Sequence, residues 1–278
     1  MITLKMVDLQ LLAFFALLMT FISLWVHKSP WIWLSFLSIA YILALQSGIA
    51  KPFSLVPVGT LLLIHTMLKR NLPAGPRWIL LIAASLISIA ILFHWIPGFS
   101  NHWDSPGKFW INFDTPFIGL FILALHLPLV KSSNEALSLS YKVIPFTGLA
   151  VALLLFLGYY AGSLKWVFNW PLHFSLRLIT TLFFVIIPQE AFFRGFLQKE
   201  CFKWIGPSIK GHIGSVLFSS LIFTLCNMYW ISGLQPLSFI FLAGLIYGAL
   251  YQYTQAIESS IFCSFTFTVL HLALGLSV

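Results

Sequence analysis

The sequence predicts an all-α, polytopic transmembrane helical bundle of about 8–10 spans. Composition is the first ground: 60% of the 278 residues are hydrophobic and 8% charged, where an ordinary soluble domain carries about 25% charged residues. A water-facing surface cannot be built from that. Second, apolar runs of about 20 residues recur along the whole chain, each long enough to cross roughly 30 Å of hydrocarbon as a helix. Third, these runs are apolar on every side and rich in Leu, Ile, Phe and Ala, whereas barrel strands would alternate polar and apolar positions.

Read between charges, prolines and glycines, the spans fall at 8–26, 30–49, 52–68, 77–97, 115–130, 143–162, 172–193, 212–229, 236–253 and 257–276. The third and fifth are short enough to be partial spans held by neighbouring helices. Asp8 interrupts the approach to the first, and no small-residue cleavage site follows, so a retained helix is expected rather than a signal peptide. The segment 98–114, GFSNHWDSPGKFWINFD, reads as an extracytoplasmic loop carrying Asp104 and Asp114, with Trp103 and Trp110 at headgroup depth. The segment 131–142, KSSNEALSLSYK, reads as a polar cytoplasmic linker. It divides the chain into an N-terminal transmembrane helical region, 1–142, and a second helical domain, 143–278.

The net charge of +8 does not point to nucleic acid, because Lys and Arg stand singly or in pairs between apolar runs. Odd-numbered connections hold nine of them, from Lys28 to Lys210, and the N-terminus with the even-numbered connections holds four. The positive-inside rule therefore places 194–211 in the cytoplasm. Membrane lipids, and no nucleic acid, are the partners this implies. Cys201, Cys226 and Cys263 have neither disulfide nor metal-ligand spacing and read as unpaired small fillers. His65, His94 and His126 lie too far apart for a local metal motif and read as interior polar groups. A zinc site from His271, His212 and Glu190 has no ligand spacing to support it, so neither metal nor cofactor is expected. Gly244 and Gly248 form a small-xxx-small pattern suited to close helix packing within the chain, and Arg177 is expected to snorkel to the outer interface.

Chemistry concentrates in Pro188-Gln189-Glu190-Ala191-Phe192-Phe193-Arg194-Gly195-Phe196-Leu197-Gln198. A carboxylate inside hydrocarbon costs about 2.5–3.5 kcal/mol even on a lenient insertion scale, so Glu190 needs a partner. Arg194, four residues on, shares its helix face. If the seventh helix runs to about residue 204, Glu190 lies roughly 21 Å from its cytoplasmic end; Asn227 and His271 come to roughly 22 and 20 Å on their own helices. Three polar side chains from three helices would then share one layer.

The stretch PQEAFFRGFLQ resembles the first motif, E-E-x-x-x-R, of the CPBP family of intramembrane glutamic endopeptidases, which takes in CAAX prenyl protease and lysostaphin-resistance-protein-like domains. Phe223-Thr-Leu-Cys-Asn227 occupies the place of the second motif, F-x-x-x-H, and the run from Gly248 to His271 resembles the approach to the third, H-x-x-x-N. The resemblance covers 143–278 and implies a metal-independent endopeptidase acting on membrane-associated proteins, in a bacterial cytoplasmic membrane. It also implies that the first Glu and the second-motif His activate water while the third-motif His and Asn stabilise the oxyanion. Position by position, the first Glu is Gln189 here, the second Glu is Glu190 and the Arg is Arg194. The second-motif His is Asn227, the third-motif His is His271, and the third-motif Asn is Gly275.

Those replacements bear directly on catalysis. An amide at Gln189 cannot take a proton from water, Asn227 cannot relay one, and Gly275 offers no side-chain donor. Glu190 and His271 remain as catalytic candidates, with Glu190 and Arg194 read as a structural ion pair. Glu190 is one residue from the usual base, a rotation of about 100° on a helix. Two functions compete: a protease cutting a membrane-embedded or membrane-anchored protein, and a pseudoprotease that binds such a client. A transporter would be expected to show repeated halves, and the first half has no counterpart of QEAFFR.

Overall fold

A computed structural model describes residues 6–27, 29–100, 111–160, 174–228 and 233–273. These residues are almost wholly helical, joined by short connections and one isolated antiparallel bridge, Ala50 with Phe99. Six helices are long and apolar enough to cross a membrane: α1 (Asp8–Val26, within a helix that starts at Met6), α4 (Ala74–Leu92), α6 (Ser133–Tyr160), α7 (Phe174–Ile205), α8 (Ile209–Asn227) and α9 (Leu234–Thr254). Four shorter apolar helices complete the order: α2 (Pro30–Gln46), α3 (Leu55–Leu68, after a 3₁₀ turn at Pro52–Ser54), α5 (Pro116–His126) and α10 (Ile257–Ala273). The chain is thus an integral, multi-pass membrane protein. Trp103, Asp104, Trp110 and Gly275 lie outside the described residues.

Prolines start several of these helices, at Pro30, Pro52 and Pro116, where the missing N–H would have no intrahelical partner in any case. The expected linker at 131–142 is instead the first turns of α6. Ser132 Oγ accepts from Glu135 N at 3.2 Å, and Glu135 Oε2 accepts from Lys131 N at 3.3 Å. That is the S-x-x-E start signal of a helix, and polarity alone hid it. The end of the expected interfacial loop is likewise buried: Ile111, Phe113 and Asp114 are inaccessible.

The described residues fall into two compact units. The first takes in those up to Leu127 together with Phe183–Pro188, and the second runs from Pro128 to Leu182 and from Gln189 onward. The first unit is built around aromatic rings. Phe113 meets Phe14 and Phe117 edge to face, with centroids 5.6 Å apart in both pairs, and Phe14 meets Phe184 at 5.7 Å. Such pairs add about 0.5–1.5 kcal/mol each beyond their buried area. Several of its polar groups pair with one another. His65 Nδ1 lies 3.1 Å from His126 Nε2, and His94 bridges Asp114 Oδ2 at 2.9 Å and Asn112 Nδ2 at 2.7 Å.

The second unit packs α6, α8, α9 and α10 with the C-terminal half of α7. Its apolar core joins Val143, Ala150 and Leu154 of α6 to Ala243, Tyr247 and Leu250 of α9 and Cys263 of α10. Helix α7 is not a regular α-helix: Leu182–Ile186 and Ala191–Gln198 are π-helical, on either side of Ile187–Glu190. Pro188 sits between them. It has no N–H for the carbonyl four residues back, and its ring clashes there in α-register; widened turns of this kind relieve such conflicts and recur at functional sites.

Gly119 of α5 illustrates how tightly the first unit is packed, since a Cβ there would stand 2.7 Å from Pro188 Cα. Gly119→Ala should therefore cost about 1–3 kcal/mol through overpacking. Gly148 in α6 faces open space, so Gly148→Ala should be neutral or stabilise by up to about 1 kcal/mol. Unfolding midpoints of the two variants in detergent micelles check this, and equal shifts would contradict it.

Candidate functional site

Glu190 and Arg194 sit inside the second unit, 1% and 0% exposed, with Arg194 Nε 3.3 Å from Glu190 Oε2. The guanidinium donates from Nη2 to the Gly244 carbonyl of α9 at 3.2 Å. Aromatic faces surround it: its central carbon lies 4.7 Å from the Phe223 ring of α8, 5.7 Å from Tyr247 of α9 and 5.8 Å from Phe193. Each such contact is worth about 0.5–2 kcal/mol, more as water is excluded. Ser260 of α10 lies beside the Glu190 carboxyl, with its hydroxyl donating to the Ile257 carbonyl at 3.1 Å. One ion pair thereby touches α7, α8, α9 and α10.

A second polar layer lies one turn along. Gln198 donates to the Gly248 carbonyl at 2.9 Å and to Gln252 Oε1 at 3.2 Å, while Ser219 of α8 donates to Gln198 Oε1 at 3.2 Å. Gln252 in turn reaches His212 Nδ1 at 2.6 Å, on the exposed side. Glu190, Arg194 and Gln198 on α7 thus run beside Gly244, Gly248 and Gln252 on α9 in steps of four residues. The glycines permit the approach. A Cβ at Gly244 would stand 3.2 Å from Ser220 Cβ, and one at Gly248 would stand 3.0 Å from Gln198 Oε1 and 3.2 Å from Val216 Cγ1. The small-xxx-small pattern is used inside the chain.

The sequence-derived residues do not all meet. Gln189 is half-buried while Glu190 beside it is buried, as adjacent positions on a helix require. Asn227 hydrogen-bonds the Phe223 carbonyl of its own helix at 2.8 Å, and Phe223 rather than Asn227 meets Arg194. His271 lies eleven residues beyond Ser260 along α10, roughly 16 Å at 1.5 Å per residue. Its ring sits 6.1 Å from Phe267, and Arg177 is the charged group in electrostatic range. Among the described residues, neither Asn227 nor His271 bonds to Glu190. The counting behind a shared depth changes in two places: α8 begins at Ile209 rather than His212, and α7 carries π-helical turns of different rise. Gly275 lies outside the described residues. Among the described residues no three metal-ligating side chains come together, and His212 belongs to the Gln252 layer, away from Glu190.

Sequence reasoning passed over Gln198, Gln252, Ser219 and Tyr247. The signal was available as a four-residue polar repeat on α7 facing a four-residue small and polar repeat on α9.

Residues 171–270 match the family model described as type II CAAX prenyl endopeptidase, Rce1-like. The match spans 100 of the 278 residues and falls on the segment that resembles the CPBP motifs. The matched segment contains Gln189, Glu190, Arg194 and Asn227 and stops one residue short of His271. No curated protein and no solved structure matches the chain.

Removing one member of a buried ion pair leaves the other charge without compensation and costs about 3–5 kcal/mol. Arg194→Ala should therefore reduce the yield of folded protein sharply. Gln189→Ala, at a half-buried position, should change it little. Size-exclusion recovery of both variants from the same membranes is the check, and equal, mild losses would count against a buried, mutually dependent pair.

Proposed function

We propose that this CPBP-family membrane protein is a catalytically degenerate member, which binds membrane-embedded or membrane-anchored protein chains rather than hydrolysing them by the family's route. The observation that carries this reading is the burial of Glu190, the one carboxylate left in the first motif, in an ion pair with Arg194 Nε at 3.3 Å. A carboxylate buried against a guanidinium is committed to that contact and has little surface left for a substrate or water. The amides at Gln189 and Asn227 accept no proton from water, so the general base of peptide hydrolysis has no side chain in its usual places. The name of the matched family makes prenylated, membrane-anchored chains the first class of client to try, and a bacterial cytoplasmic membrane is the location we propose.

Loss of general acid–base catalysis removes about 10²–10⁴-fold, and loss of an oxyanion donor at Gly275 a further 10²–10³-fold. Purified protein in lipid should accordingly leave membrane-embedded and prenylated peptides uncut, while retaining them in a photo-crosslinking assay. Cleavage abolished by His271→Ala or Glu190→Gln would overturn the proposal, and so would failure to retain any such peptide.

A further inference from the structure

We propose that a groove on the first unit holds one acyl chain of a phospholipid, with the phosphodiester of that lipid at Lys51. The groove has a volume of about 510 Å³ and is lined by Phe53, Val56, Pro57 and Thr60 along the start of α3, by Ile87 of α4, and by Pro97 beyond it. Sites for small molecules typically measure about 300–1,000 Å³. A single hydrocarbon chain fits within that volume, whereas two turns of a helix about 10 Å wide and 10.8 Å long fill roughly 850 Å³ and would seat by one face alone.

Inside a bilayer the walls of such a groove are no more apolar than the lipid tails, so no hydrophobic force retains a particular chain. Shape and headgroup must do so. Lys51 is exposed and has no acidic partner among the described residues. Its N–H donates to the Gly98 carbonyl at 2.8 Å. Gly98, at φ +111, lies against Phe53, where a Cβ would stand 2.8 Å from Cε2. The Lys51 backbone is thereby held next to Phe53 and Pro97, two of the residues that line the groove. Trp95, 63% exposed, lies two residues before Pro97 and is of the type that anchors at headgroup depth. From Lys51 to Thr60 the chain advances roughly 14 Å, about the depth of one leaflet of a 30 Å hydrocarbon core. A lysine ammonium supplies the point charge that a phosphodiester takes.

The test uses the full chain in nanodiscs with two photoreactive probes, a phosphatidylglycerol and a diacylglycerol that carry the same diazirine acyl chain. The phosphatidylglycerol should label peptides holding residues 53–60 and 87–97 above the other lipid-facing helices. Thr60→Trp, or Ile87→Trp on the opposite wall should the first fail to fold, should reduce that labelling about tenfold, the equivalent of 1.4 kcal/mol. Lys51→Ala should reduce it about fivefold, the effect expected of one lysine near a headgroup, and should leave diacylglycerol labelling unchanged. Labelling spread evenly over the helices, or unaffected by both tryptophans, would overturn the groove. Equal labelling by both probes would overturn the role of Lys51. A crosslink between two copies through α3 would overturn a lipid occupant.

Discussion

Placing Glu190 and Arg194 away from water costs several kcal/mol per ion unless each finds partners in the right geometry, and the second unit is arranged around meeting that demand. The guanidinium needs an acceptor and low-dielectric aromatic faces, and α9 supplies the Gly244 carbonyl while Phe223 and Tyr247 flank it. Gly244 can present its carbonyl only because α9 lies close to its neighbours, and that closeness requires the absence of side chains at Gly244 and Gly248. Gln198 repeats the pattern one turn further on, with an amide in place of a charge. Without a net hydrophobic force between helices in lipid, such hydrogen bonds and close contacts carry much of the helix association.

The same geometry bears on function. An intramembrane carboxylate can serve as a base when water reaches it, or as a tie when neighbouring groups fill its coordination. At Glu190, Arg194 Nε stands 3.3 Å from the carboxylate as an ion pair and Ser260 lies beside it, with both charged groups buried. His271 stands some three helical turns beyond Ser260 along α10, with its ring 6.1 Å from Phe267. A hydrolytic centre needs its base, donor and scissile bond within hydrogen-bonding reach, and a displacement of about 1 Å can cost 10²-fold.

Most of the helices were legible in the sequence, because the cost of unsatisfied backbone in lipid leaves long apolar runs almost no alternative to helix. The errors came where local chemistry competes with polarity. Residues 131–142 look like a linker by composition, yet Ser132 and Glu135 start α6. The Glu190–Arg194 proximity could be read from four-residue spacing, whereas contacts of Asn227 and His271 with other helices have no such local rule. Depth from residue counting assumes a constant rise, and Pro188 with its flanking π-helical turns breaks that assumption. The pairing of His65 with His126 joins positions sixty-one residues apart, and nothing local announces it.

The central claim is that Glu190 and Arg194 stabilise the fold as a unit. A double-mutant cycle with Glu190→Gln, Arg194→Met and the combination, measured by reversible unfolding in micelles or bicelles, tests it most directly. Each single variant should lose about 3–5 kcal/mol, and the double variant should recover most of that loss, because replacing both members of a buried pair by uncharged groups is often close to neutral. Losses that simply add, with a coupling below about 0.5 kcal/mol, would contradict the claim and return Glu190 to the list of groups free to act on a substrate.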